Sequence, residues 1–294
     1  MIRKLTGLGA PWRVVGNSEG KAKHTTHKIM KLSRWILGIT LVLGASSASA
    51  ADLLHQYSFN NGTANDSVGG ANGTLMGTTS VSGGQLVLPG GNNASGNYLN
   101  LPAATIGINT YSGVTLEMWS TQPAINQGFS MTATFGGTWG NGLGQNYLMI
   151  STTRGDDVSR GAIAITADDV EPWLDEVFVN GAEMNDALEH YYAVTINGTQ
   201  LAYYIDGVLQ GTAAVAPSAL SSLSTQSAFL GRGVYNGDAM VQGSINEFRI
   251  WNAALPASEI ALHNVLGANV VPEPSAFALV GFGMASLVVL RRRA

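Results

Sequence analysis

The sequence predicts an all-β fold, an antiparallel β-sandwich, on three observations. Alternating apolar runs are joined by Asn-Gly and Asp-Gly turns, short strand-like segments recur every ten residues or so, and 37 glycines accompany only 12% charged residues in a chain of 294. The clearest run is 190–211, HYYAVTINGTQLAYYIDGVLQG. Its period of two puts Tyr192, Val194 and Ile196 on one face. Leu201, Tyr203 and Ile205 repeat the pattern after Asn197-Gly198, and Asp206-Gly207 opens a third strand. A face this apolar requires a partner sheet.

Other runs supply that sheet. Leu53 to Phe59 alternates and ends in turn residues, Asn60-Asn61-Gly62 and then Asp66-Ser67-Val68-Gly69-Gly70. Asp66 is expected to form a turn, with a calcium ligand as the sharper alternative. Further strands are expected around Gln85 to Leu88, Tyr98 to Leu101, Val114 to Ser120, Phe129 to Phe135, Tyr147 to Thr152 and Gly161 to Thr166. Trp119, on an alternating strand, is expected in the core. After the meander come Ser227 to Leu230, a closing strand from Gly243 to Trp251, and a short helix over Pro256 to Leu266, with Pro256 and Glu259 suited to its first turn.

Charge is divided unevenly along the chain. Eight of the fifteen basic residues lie in the first 34 positions and three more are Arg291, Arg292 and Arg293. Between them, residues 51–270 hold four arginines, no lysine and 17 carboxylates, a formal charge of -13. Such a field repels phosphate backbones and excludes nucleic acid as a partner. The chain has no cysteine, which removes disulfides, thiolate chemistry and Cys-based zinc sites.

Both ends carry export features. From Met30, a basic n-region (Lys31, Arg34), an apolar stretch from Trp35 to Gly44 and the small-residue motif Ala48-Ser49-Ala50 form a secretory signal, with a signal helix and cleavage by signal peptidase after Ala50. Residues 1–29 then read as an upstream extension, through a misassigned start or a long leader. At the other end, Pro272-Glu273-Pro274 precedes an apolar run from Ala276 to Leu290 and the cluster Arg291 to Arg293. Fifteen apolar residues span about 22 Å as a helix, which snorkelling arginines extend towards a transmembrane length. The arginines place its far end in the cytoplasm and the domain outside.

Within the domain, the glycine-rich stretch 135–146 is no phosphate cradle, because a strand follows it. Trp139, Asn141 and Asn146 could there stack on and hydrogen-bond a sugar. Asp168, Asp169, Glu171, Asp175 and Glu176 form the densest acidic cluster, read as a solvated loop or as a calcium site. Neither a Gly-x-Ser-x-Gly elbow nor a gathered His, Ser and Asp set occurs.

The hairpin Tyr191-Tyr192-Ala193-Val194-Thr195 with Leu201-Ala202-Tyr203-Tyr204-Ile205-Asp206-Gly207-Val208 resembles the signature of laminin-G-like, concanavalin-A-like jelly-roll domains. His55 to Phe59, Asp66 to Gly69, Val114 to Trp119, and Gly243 to Trp251 with Leu255 and Glu259-Ile260 match that family's other landmarks in order. The resemblance implies a jelly roll over 51–270. The family's hydrolases carry Glu-x-Asp-x-x-Glu on one strand, which this chain lacks, so the expected domain is non-catalytic. Pro-Glu-Pro, apolar helix and Arg cluster over 271–294 resemble the PEP-CTERM sorting signal of Gram-negative bacteria. That implies an exosortase as partner, transient membrane anchoring, and release to the cell surface or matrix. The expected function is a surface protein binding extracellular polysaccharide or protein through its loops, with an enzyme on the same fold or a purely structural matrix component as alternatives.

Overall fold

The computed structural model describes residues 51–92, 96–124, 127–166 and 170–271. The signal segment with Ala48 and Ala50, the sorting tail with Pro272 to Pro274, its expected membrane helix and Arg291 to Arg293, and Asp168 and Asp169 lie outside the described residues. Among the described residues no helix is long and apolar enough to cross a membrane.

Fifteen strands run in chain order: β1 Leu53–Tyr57, β2 Thr74–Met76, β3 Ser80–Ser82, β4 Gln85–Gly91, β5 Tyr98–Leu101, β6 Gly113–Thr121, β7 Ala133–Thr138, β8 Gly144–Ser151, β9 Ser159–Ala164, β10 Glu176–Gly181, β11 Glu189–Asn197, β12 Gln200–Ile205, β13 Val208–Ala214, β14 Ser227–Leu230 and β15 Met240–Trp251. Two α-helices, α1 Ala103–Ile106 and α2 Ala257–Leu266, and two 3-10 turns, Ile108–Thr110 and Pro172–Asp175, complete the described set. The strands form two antiparallel sheets, as a jelly roll requires. The first has the order β13-β12-β11-β6-β15-β4-β3 with β1 also on β15, and the second runs β10-β9-β8-β7-β14-β5-β2.

The meander is where the sequence placed it. Tyr192, Val194, Ile196, Leu201, Tyr203 and Ile205 are all buried on the face towards the second sheet, which answers with Phe135, Leu148, Ile150 and Ile163. Phe135 of β7 stacks on Phe248 of β15 across the sandwich, ring centroids 6.5 Å apart. Gly198 takes φ +62 in the hairpin turn, a conformation that side chains resist.

Two expectations are corrected in detail. The seventh strand starts at Ala133, because Phe129 leaves the sheet and lies against Gly155 instead. The acidic stretch is not loop throughout: Pro172–Asp175 is one 3-10 turn, and Glu176 opens β10. Trp119 is buried in a hydrophobic cluster as expected, on the outer face of the first sheet, against Tyr191 at 4.6 Å and beneath α2.

Asp66 does more than shape a turn. Oδ1 accepts from the backbone N–H of Gln56, Val68 and Gly69, while Oδ2 accepts from Ala71 N–H and meets His55 Nδ1 at 2.7 Å. Burial would raise its pKa, but the hydrogen bonds from His55, Gln56, Val68 and Ala71 hold it far below the ordinary carboxylate range. Asp66→Ala should therefore cost about 3 kcal/mol, since four amide donors, three part-buried and that of Ala71 buried, lose their acceptor. A folded-state pKa depressed below the unfolded value stabilises above roughly pH 4 and is lost as pH falls. Melting curves of both proteins from neutral to acid pH should converge below that point.

Candidate functional site

A cleft of about 410 Å³ opens on the outer face of the second sheet. The strand pattern makes it. Ile163 of β9 points into the sandwich, so Ala162 and Ala164 on either side point out, and their short side chains leave a hollow beside Tyr147 and Met149 of β8. Arg160 and Glu176, from β9 and β10, project into this hollow from the same face. The walls are loops: Phe129 and Met131 before β7, Arg154 after β8, Trp173 in the 3-10 turn before β10, and the turn Tyr235 to Asp238 before β15.

Two glycines admit these walls. A Cβ on Gly155 would lie 2.5 Å from the Phe129 ring, and one on Gly144 would lie 2.6 Å from that of Tyr235. The glycine-rich hairpin thus serves the cleft without lining it. Its carbonyl at Gly142 accepts from Asn236 N–H at 2.8 Å, and Thr138 Oγ1 donates to Val234 O at 2.6 Å, which fixes the turn that carries Tyr235 and Asp238.

The floor is polar and tightly paired. Arg160 Nη1 donates to Glu176 Oε2 at 2.5 Å and its Nε to Asn180 Oδ1 at 3.0 Å, with the guanidinium 3.7 Å from the Phe178 ring centroid. The Tyr147 hydroxyl donates to Glu176 Oε1 and lies 3.2 Å from the Tyr235 hydroxyl. Burial pushes the Glu176 carboxyl up despite the Tyr147 hydrogen bond. Asp238 is raised to about 7, first by burial and then by the charge of Glu176. Its Oδ2 is buried with no hydrogen-bond partner, as is Nη1 of Arg154. Above this floor, Phe129 and Trp173 stay 54% and 45% exposed, which leaves aromatic surface at the mouth.

The residues singled out from sequence are distributed differently. Trp139, Asn141 and Asn146 do not line the cleft. Trp139 is half-buried at the β7–β8 turn, Asn141 Oδ1 accepts from Leu143 N–H, and Asn146, at φ +43, uses Oδ1 to hold Thr166 N–H at 2.9 Å. Of the acidic cluster, Glu171 and Asp175 are exposed, and Glu176 turns inward to Arg160. Among the described residues no three His, Cys, Asp or Glu side chains gather as a metal group. Sequence reasoning missed Phe129, Arg154, Arg160, Trp173, Tyr235 and Asp238. The available signal was an arginine on the outward position of an otherwise apolar strand.

Residues 92–261, more than half the chain, match the family described as the concanavalin A-like lectin/glucanases superfamily. Residues 270–293 match the PEP-CTERM protein-sorting motif, which marks the chain for export and sorting to the cell surface. Domain 4 of AbnA, a GH43 extracellular arabinanase from Geobacillus stearothermophilus solved with arabinotriose, shares the fold at TM-score 0.54 and 18% identity, over 72% of this chain and 98% of that one. The binding domain of botulinum neurotoxin DC, solved with SialylT, does so at TM-score 0.51 and 11% identity, over 74% of this chain and 51% of that one. No curated protein sequence matches.

Replacing Arg160 by Met should strand Glu176 in a dry site. The expected loss is about 3 kcal/mol or more, read as a fall in Tm, and Glu176→Gln on the same background should recover part of it.

Proposed function

This chain belongs to the concanavalin A-like lectin/glucanases superfamily, and on that ground we propose that it is an exported, non-catalytic surface protein that binds polysaccharide in the cleft of its second sheet. The observation that carries this is the layout of the cleft. Exposed rings of Phe129 and Trp173 stand at a cleft also lined by Arg154, Arg160, Glu176 and Asp238, which suits a sugar's apolar ring face and polar rim. The sugar complexes of the two structural relatives support the reading by analogy of fold.

A second reading is favoured by one feature. Asp238, raised to about 7 beside Glu176, has the character of a general acid next to a second carboxylate, as in a glycosidase. Against it, Glu176 is committed to Arg160 and Tyr147, which leaves little freedom for a base or nucleophile.

A glycan array with the full-length chain in detergent separates these readings. Retention of a glycan family, weakened about tenfold or more by Trp173→Ala, is expected for the binding module. Release of shortened products would support the enzyme, and silence would support a structural matrix component.

The export reading adds signal peptidase and an exosortase as processing partners, with a mature protein beginning near Ala51 and ending near Pro274. Mass spectrometry of the released protein should find those ends. Peptides from residues 1–29, or an intact tail from Ala276 to Arg293, would overturn it.

A further inference from the structure

The cleft contains one carboxylate without a countercharge. We infer that the ligand group seated at Asp238 is an amine, so that the polysaccharide this cleft takes carries free amino sugars. The inference rests on the cleft being a glycan site.

The other charges lining the cleft are engaged, Arg154 alone among them keeping one nitrogen, Nη1, without a partner. From β9, Arg160 is held by Glu176 at 2.5 Å and by Asn180 at 3.0 Å. From β10, Glu176 is shared by Arg160 and the Tyr147 hydroxyl. From the loop after β8, Arg154 pairs through Nε with Asp156 at 3.2 Å. Tyr235, on the same turn, is neutral at ordinary pH, its pKa pushed up to about 12. Asp238 is left with Oδ2 buried and unpartnered beside a like charge. Such a group is relieved in one of two ways, by a proton or by a cation.

Three ligand classes can be ranked on this geometry. A hydroxyl offers Asp238 a single hydrogen bond and leaves its charge unanswered. A uronate could engage the free Nη1 of Arg154, but it would meet Glu176, Asp238 and a domain field of formal charge -13 over residues 51–270. An ammonium pairs with Asp238, can lie over the ring faces of Trp173 or Phe129, and is drawn in by that field. The ammonium also displaces the proton that Asp238 holds below neutrality.

The test is titration calorimetry of the full-length chain in detergent at about pH 6, in two buffers of different ionisation enthalpy. The probes are a glucosamine tetrasaccharide, its fully N-acetylated counterpart and a galacturonate tetrasaccharide. The amine probe should bind at least about tenfold more tightly than the acetylated one, the equivalent of one pKa unit of coupling. It alone should expel close to one proton. Asp238→Asn should bring its affinity down to that of the acetylated probe. Should that variant not fold, the proton count on the unaltered chain decides by itself. Equal affinities, tighter binding of the uronate, or amine binding without proton release overturns the inference. If the acetylated or uronate probe binds and Trp173→Ala abolishes it, the glycan cleft survives and only the amine preference falls. If no glycan binds at all, the reading beneath falls with it.

Discussion

Glu117 is the fixed point of the structure. It is fully buried on the outer face of β6, where a carboxylate persists only if its oxygens are answered. Oε1 accepts from the Tyr191 hydroxyl of β11 and lies 2.7 Å from His263 Nδ1 of α2, while Oε2 accepts from Trp251 Nε1 of β15 at 2.5 Å. One side chain therefore ties its strand to both neighbours and to the C-terminal helix. Removing any donor leaves a charge in a place that water does not reach. The neighbouring pair obeys the same rule: Glu247 and Arg249 are fully buried, bonded to each other, and Arg249 stacks 4.5 Å from the Trp119 ring.

This network also sets where the domain ends. Glu247 Oε2 accepts from Asn269 N–H at 2.6 Å and Arg249 Nη2 donates to Val270 O at 3.0 Å, so the chain after α2 is strapped to the first sheet. Ala268 and Val271 pack with Trp119, Tyr191 and Trp251 beneath it. The sorting motif is matched from residue 270 onward. Folded structure and sorting signal therefore adjoin, with hydrogen bonds among the described residues reaching the first residue of the motif. The first sheet thereby has apolar burial on both faces around β6, which is why that strand reads as almost continuously buried.

The second sheet uses its outer face differently. Its inner side chains complete the core, while outward ones alternate between small residues and a charged or aromatic rim. A cleft results because two alanines lie flanked by tyrosine, methionine and an Arg160–Glu176 pair. Core packing and the cleft draw on the two faces of the same strands, and the period of two keeps them separate.

Local sequence signals were enough for the sheets and for the C-terminal sorting address. Hydrophobic alternation with Asn-Gly and Asp-Gly turns is a local signal, so the meander, its buried face and the helix from Pro256 could be read directly. Terminal motifs are likewise linear, and the sorting tail was legible as a string. The cleft was not, because its walls come from four loops spread between Phe129 and Asp238. Trp139, Asn141 and Asn146 were chosen for residue type and fell on the hairpin beside the cleft, outside its lining. Glu176 read as one acid among five until strand pairing set it against Arg160. Asp238 was unremarked in sequence, since what distinguishes it is burial without a partner. That property exists only once the folded chain has excluded water from one side of a carboxylate and placed no cation on the other.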